Sequence, residues 1–153
     1  MATTVTAADL TVTITESYSL NGVDYGNTMN KTFASNGEVY QRIMTIAAQT
    51  RGSAWTNIIN FGAADAAGVA DISNYKYFRI KNLDSANFLE LRVTGTADSF
   101  FVKIKAGETF LLMDNEIDAA ASSTTVGTLT DITQIAANAD TDGVDIEFVC
   151  VTT

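Results

Sequence analysis

Two acidic clusters and one tryptophan hold most of the residues here whose types and spacing could do chemistry. The stretch DNEID sets Asp114, Glu116 and Asp118 at alternate positions. On a strand that spacing puts three carboxylates on one face, which would suit calcium or the acid and base of a glycosidase. A working pair also needs a second carboxylate across a cleft with one pKa raised, which linear spacing cannot supply, so an exposed acidic loop is the better reading. In NADTDGVDIEFV, Asn138, Asp140, Asp142 and Gly143 match the first half of a calcium loop. The match stops at the twelfth position, where the bidentate glutamate of such loops is replaced by Val149 inside an apolar run. A turn entering a last strand is expected instead. Trp55 could stack on a sugar or anchor an interface, against the plainer expectation of a buried or rim tryptophan. Cys150, in the apolar run VDIEFVCV, reads as a small buried hydrophobe without a redox role.

What is missing narrows the chemistry further. The chain has no histidine, which removes the usual general base, the usual partner of a serine or cysteine nucleophile and the commonest metal ligand. It has no Gly-x-Ser-x-Gly elbow, phosphate-binding glycine loop or dinucleotide fingerprint. The expectation is a protein that is not an enzyme and needs no cofactor or metal, with a carboxylate-only glycosidase as the remaining catalytic option.

The elements that would position these residues are strands. At 153 residues, 46% apolar and 18% charged, the chain fits one globular domain over 1–153 that buries a core without disulfide or metal staples. No long uncharged apolar run suggests a membrane span, and the opening MATTVTAADL lacks the basic and apolar regions of a secretory signal, so folding in a cytoplasm is expected. A net charge of −9 argues against nucleic acid, whose affinity comes mainly from lysine and arginine. Along 10–20, Leu10, Val12, Ile14, Tyr18 and Leu20 take one parity and threonines and serines the other, the mark of a half-buried strand. Asn21-Gly22 then suits a hairpin turn into 28–33. Runs rich in β-branched and aromatic residues follow at 39–46, 56–61, 75–81, 87–94, 100–105, 109–113 and 144–151.

Between 75 and 113 the runs read as three successive hairpins, a meander, with Ala106-Gly107 as a tight turn that sets Lys105 against Glu108. The stretch 62–71 reads as a long loop. One short helix is expected over 131–139, from the spacing of Ile132, Ile135, Ala136 and Ala139 behind Asp131, which could cap it. The fold class is therefore all-β, a β-sandwich of jelly-roll type in preference to an immunoglobulin-like one, with at most one or two short helices. The period of two predicts Val12, Ile14, Phe78, Ile80, Leu89, Leu91, Val102, Ile104, Ile146 and Phe148 in the core, with Arg79, Lys81, Glu90 and Arg92 outside.

Charge is unevenly placed. Residues 1–75 carry 3 basic and 6 acidic side chains, 76–105 carry 6 and 3, and 106–153 carry 9 acidic and no basic ones. A lone domain gains little from such segregation, since exposed pairs contribute about 0–1 kcal/mol, whereas an assembling protein can use it to steer encounter and fix register. Tyr75 and Tyr77 share parity with Arg79 and Lys81, so these four and Arg92 are the candidate interface of a homo-oligomer, a trimer by preference. The alternative is that the acidic C-terminal third folds back beside the basic strands of its own chain.

Three stretches carry a family resemblance: TVTITESYSLNG, YFRIKNLDSANFLELRV and FFVKIKAGETFLLM, set in a threonine- and alanine-rich, histidine-free chain. Together they resemble small virion proteins of tailed, particularly marine, bacteriophages, of the capsid decoration, knob or appendage type. The resemblance implies a non-enzymatic sandwich made in the host cytoplasm, located in the virion and bound to the major capsid protein or other virion proteins. The other function to weigh is a carbohydrate- or receptor-binding sandwich module of a tail fibre, with Trp55, Tyr75 or Tyr77 as stacking platforms.

Overall fold

Period-two patterning dominates the chain, and strands are what it builds. The computed structural model describes residues 6–50, 54–63, 68–71, 75–96, 99–113, 116–117 and 129–152; they are all-β, without a helix among them. The chain divides into two compact units, Met1–Gly37 and Glu38–Thr153.

The first unit is a ribbon. Strand β1 (Ala8–Glu16) pairs antiparallel with β4 (Asn27–Asn36), from Leu10↔Phe33 to Glu16↔Asn27. Between them, β2 (Ser19–Leu20) and β3 (Val23–Asp24) close on Asn21-Gly22. Both turn residues have positive φ, 51° and 78°, as that dipeptide predicts. Hydroxyls bridge the strands on one face: Thr11 Oγ1 lies 3.2 Å from Thr32 Oγ1, and Thr13 Oγ1 donates to Asn30 Oδ1 at 2.8 Å. Val12 and Ile14, expected in the core, are only half-buried, because a two-stranded ribbon has no second layer within its unit.

The second unit is the sandwich. Its strands are β5 (Glu38–Ile46), β6 (Thr56–Gly62), β7 (Ala70–Asp71), β8 (Tyr75–Asn82), β9 (Leu89–Thr94), β10 (Ser99–Ile104), β11 (Thr109–Leu112), β12 (Glu116–Ile117), β13 (Thr130–Asp131), β14 (Gln134–Ala139) and β15 (Val144–Thr152). A four-stranded sheet in the order β11-β8-β15-β5 faces a five-stranded one in the order β10-β9-β14-β6-β7, and β12 pairs with β13. The 62–71 stretch, expected as loop, ends in β7, which lies parallel to β6; 64–67 fall outside the described residues. One core joins the two sheets, with Phe78, Ile80, Ile146 and Phe148 from the first and Ile59, Leu89, Leu91 and Ile135 from the second. The expected core residues of this unit are there. Phe78, Ile80, Leu89, Leu91 and Ile146 have no accessible surface, Ile104 and Phe148 are buried, and Val102 packs against the cluster at partial burial.

The connections differ from the expected meander. Of the hairpins expected between 75 and 113 only β9–β10 forms; β8 pairs with β11 and β15, and β9 with β10 and β14. The chain from β8 to β11 is thus one antiparallel ribbon whose two arms pass together from sheet to sheet, at 83–88 and at 105–108. A second ribbon, β5–β6 against β14–β15, does the same at 47–55 and 140–143. The Ala106-Gly107 turn forms, with Gly107 at φ 74° and Lys105 Nζ 3.9 Å from Glu108 Oε1, but it joins strands of different sheets. A turn signal fixes the local bend, whereas the sheet a strand joins is decided by burying both inner faces together.

Asn82 pins the first corner. It is fully buried, its Nδ2 donates to Asn87 O (2.9 Å) and Ile104 O (3.2 Å), and its Oδ1 accepts from Asp84 N (2.9 Å). One amide therefore ties both arms at the bend.

The helix expected over 131–139 is instead strand β14, flanked by β9 and β6. Ile135 to Ala139 are all buried, so the strand lacks the half-exposed alternation that would have marked it. Alanines fitting closely on both faces produce a false helical spacing, and tertiary pairing overrides the propensity of short Ala-rich runs.

Candidate functional site

The five candidate interface residues do not form one patch. Thr152 pairs with Tyr75 but Val151 with Tyr77, so a bulge at Lys76 turns Tyr75 to the opposite face. Tyr75 lies in the core, its hydroxyl donating to Leu112 O at 2.7 Å and its ring edge-on to Phe61 with centroids 5.4 Å apart. Tyr77 stays on the outer face and is buried there. Burial raises its phenol above the ordinary value, against the opposing pull of the Arg79 guanidinium. Arg79 pairs with Glu147 on β15, and exposed Lys81 stands in register with the same glutamate. The acidic C-terminal strand therefore lies beside the basic strand of its own chain, and this part of the charge segregation is answered within it. Arg92 is on the outer face of the other sheet.

The acidic clusters separate as well. Asp114 and Asp118 lie outside the described residues, and Glu116 is exposed on β12. Asn138 is fully buried and spends its amide on the 47–55 connection: Oδ1 accepts from Gln49 N at 2.9 Å and Nδ2 donates to Gln49 O at 3.2 Å. Asp140 and Asp142 are exposed on the turn into β15, as the failed calcium-loop match predicts. Among the described residues no three acidic or thiol side chains gather as a metal site would require. Burial, with a smaller contribution from the Glu38 carboxylate, pushes the Cys150 thiol up to about 12.

A cleft of about 380 Å³ opens between β5 and β6–β7, with Tyr40, Gln41 and Arg42 on one side and Asn57 and Asn60 among the residues on the other. Tyr40 donates its hydroxyl to Glu38 Oε2 at 3.2 Å, and its phenol is raised by burial first and by that carboxylate second. No carboxylate belongs to the described lining.

Side chains of another kind meet on the outer face of the five-stranded sheet. Leu89, Leu91 and Val93 point into the core, which turns Glu90, Arg92 and Thr94 outward. The register then writes rows across the strands: Ser99–Thr94–Gln134–Asn60, next to Phe101–Arg92–Ala136–Asn57. Trp55, from the connection before β6, lies against Arg92 with Cζ 5.0 Å from the indole centroid, and its ring is 5.6 Å from that of Phe101, which is 63% exposed. Arg92 Nη2 donates to Gln134 Oε1 at 2.7 Å, and Gln134 Nε2 donates to Asn60 Oδ1 at 3.0 Å. Thr94 and Ser99 hydroxyls lie 2.9 Å apart. The result is an aromatic shelf held by an arginine and edged by amides and hydroxyls. The sequence marks Trp55 and Arg92 separately and does not single out Phe101, Gln134 or Asn60. Pairing across the β9–β10 hairpin is the signal that could have set Phe101 beside Arg92, but Gln134 and Asn60 arrive through β14, whose residues imitate a helix.

No family model, curated protein or solved structure matches the chain.

Proposed function

We propose that the protein is a non-enzymatic structural component of a bacteriophage virion, a capsid decoration protein that works as a homo-oligomer, trimeric by preference, on the major capsid protein. The observation that carries this reading is the ribbon of the first unit. A two-stranded sheet is marginal by itself and needs a third strand or a packed layer to persist. Yet Tyr18, Leu20, Val23, Tyr25 and Met29 on this ribbon are between 47% and 59% exposed. That run of accessible apolar side chains on strands joined by a short turn is a surface for another chain to cover. The resemblance of the sequence to small phage virion proteins suggests the particle. The two bent ribbons of the sandwich support a jelly-roll winding, an architecture used by capsid and lectin domains alike, so the fold by itself does not choose between assembly and sugar binding.

Co-sedimentation with purified tailed-phage capsids tests the proposal. The full chain is expected to pellet with capsids, and a Leu20→Ser, Val23→Ser, Tyr25→Ser variant to stay in the supernatant while keeping its circular dichroism. A wild-type chain that stays in the supernatant would remove the decoration reading.

A further inference from the structure

We propose that the outer face of the five-stranded sheet is a binding site for a neutral pyranose glycan, seated on Trp55 and Phe101 and hydrogen-bonded by the Ser99–Thr94–Gln134–Asn60 row. This is a second activity of the sandwich, independent of assembly through the ribbon.

The ligand class follows from what the shelf offers. Sugars present an apolar C–H face and a rim of hydroxyls, and they need an aromatic surface beside groups that both donate and accept. Arg92 takes one side of the indole, so the remaining accessible part of Trp55 adjoins the open ring of Phe101. The neighbouring row carries two hydroxyls and two amides. The hydrogen bonds made by that row leave it capacity for a ligand: Gln134 Oε1 keeps a lone pair beyond Arg92, and Asn60 uses its amide oxygen on Gln134, leaving its NH₂ group as a donor. Four strands at about 4.8 Å spacing make the row roughly 14 Å long, the reach of two or three pyranose rings.

Charge decides against the acidic alternatives. A uronate or nucleic-acid ligand would need a guanidinium free to form paired bonds. Arg92 gives one nitrogen to Gln134, sets its Cζ 5.0 Å from the centre of the Trp55 ring and has its Nε buried without a partner. It acts as a positioning residue that fixes the indole. The next cation on this face, Lys103, lies 3.6 Å from the centre of the Phe88 ring and stands opposite Glu90. With −9 on the whole chain, a polyanion is repelled and a neutral glycan is not.

Trp55 is the one tryptophan of the chain, so its emission reports on this site alone. The full-length protein should be screened on a neutral glycan array, then titrated with cellohexaose, mannohexaose and laminarihexaose, with tri-galacturonate as the acidic comparison. A saturable change in Trp55 emission with at least one neutral oligosaccharide is expected, with none for the uronate. Phe101→Ala removes an exposed ring without touching the core and should weaken binding about tenfold or more. Arg92→Lys should weaken it and shift the emission of the free protein, because the indole loses the guanidinium beside it. The ribbon triple-serine variant should bind sugar as the wild type does. Silence across the neutral array, response to the uronate alone, or unchanged affinity in Phe101→Ala would each overturn the proposal.

Discussion

Replacing Asn82 with alanine removes the pin at the corner where the β8–β11 ribbon passes between sheets. The side chain is fully buried and makes three hydrogen bonds to main-chain groups, two as donor and one as acceptor. The Ile104 carbonyl it serves belongs to a buried strand end, and losing a buried partner costs about 1–3 kcal/mol. Asn87 and Asp84 are half-buried, so water can reach their main-chain groups and each of those losses falls near the usual net of about 0.5–1.5 kcal/mol. The sum is about 2–6 kcal/mol, a large part of the stability of an ordinary domain. Equilibrium urea unfolding followed by Trp55 emission measures it directly, with Lys81→Ala, an exposed neighbour, expected within about 0.5 kcal/mol of wild type. A loss below about 1 kcal/mol in Asn82→Ala would show that turn hydrogen bonds elsewhere hold the corner, and that Asn82 does not pin the bend.

Other expectations follow from the same structure. Cys150 should react with a thiol reagent at pH 8 only as fast as the sandwich opens, because it is buried and its thiol stays protonated there; rapid labelling of the native protein would contradict its placement. The Asp84 carboxyl is held below its ordinary 3.8 by the Asn87 and Ala86 amides. Its contribution is thus full above that value and lost as pH falls through the lower folded one, so Asp84→Asn should lower stability at pH 7, change it little at strongly acid pH, and so flatten the acid end of a stability–pH curve. Reversing Arg79 and Lys81 to glutamate should leave the oligomeric state as it is, since Arg79 pairs with Glu147 of its own chain; a double-mutant cycle on that pair should give about 1 kcal/mol or less.

Half-buried strands are legible in the amino-acid sequence alone. Phe78, Ile80, Leu89, Leu91 and Ile146 alternate with charged neighbours, and alternation is a direct record of one wet and one dry face. Strand β14 is illegible for the complementary reason: both of its faces are covered, so Ile135 to Ala139 carry no alternation and their alanines imitate a helix. Simple parity puts Tyr75 on the wrong face because a bulge at Lys76 shifts the alternation by one residue, and no single-residue signal announces it. The charge pattern misleads in a different way. It records a complementarity between β8 and β15, strands about 70 positions apart in sequence, which linear counts cannot tell from complementarity between chains. The aromatic shelf stays hidden because its members come from four separate segments and share nothing but register.

On the proposed reading, another chain covers the ribbon of residues 8–36 when the protein works. Sedimentation equilibrium of the full chain at micromolar concentration measures this most directly. A mass of three times the 16.3 kDa chain is expected, falling to a single chain when Leu20, Val23 and Tyr25 become serine with the sandwich still folded. A wild-type protein that sediments as one chain, both alone and with capsids present, would contradict it.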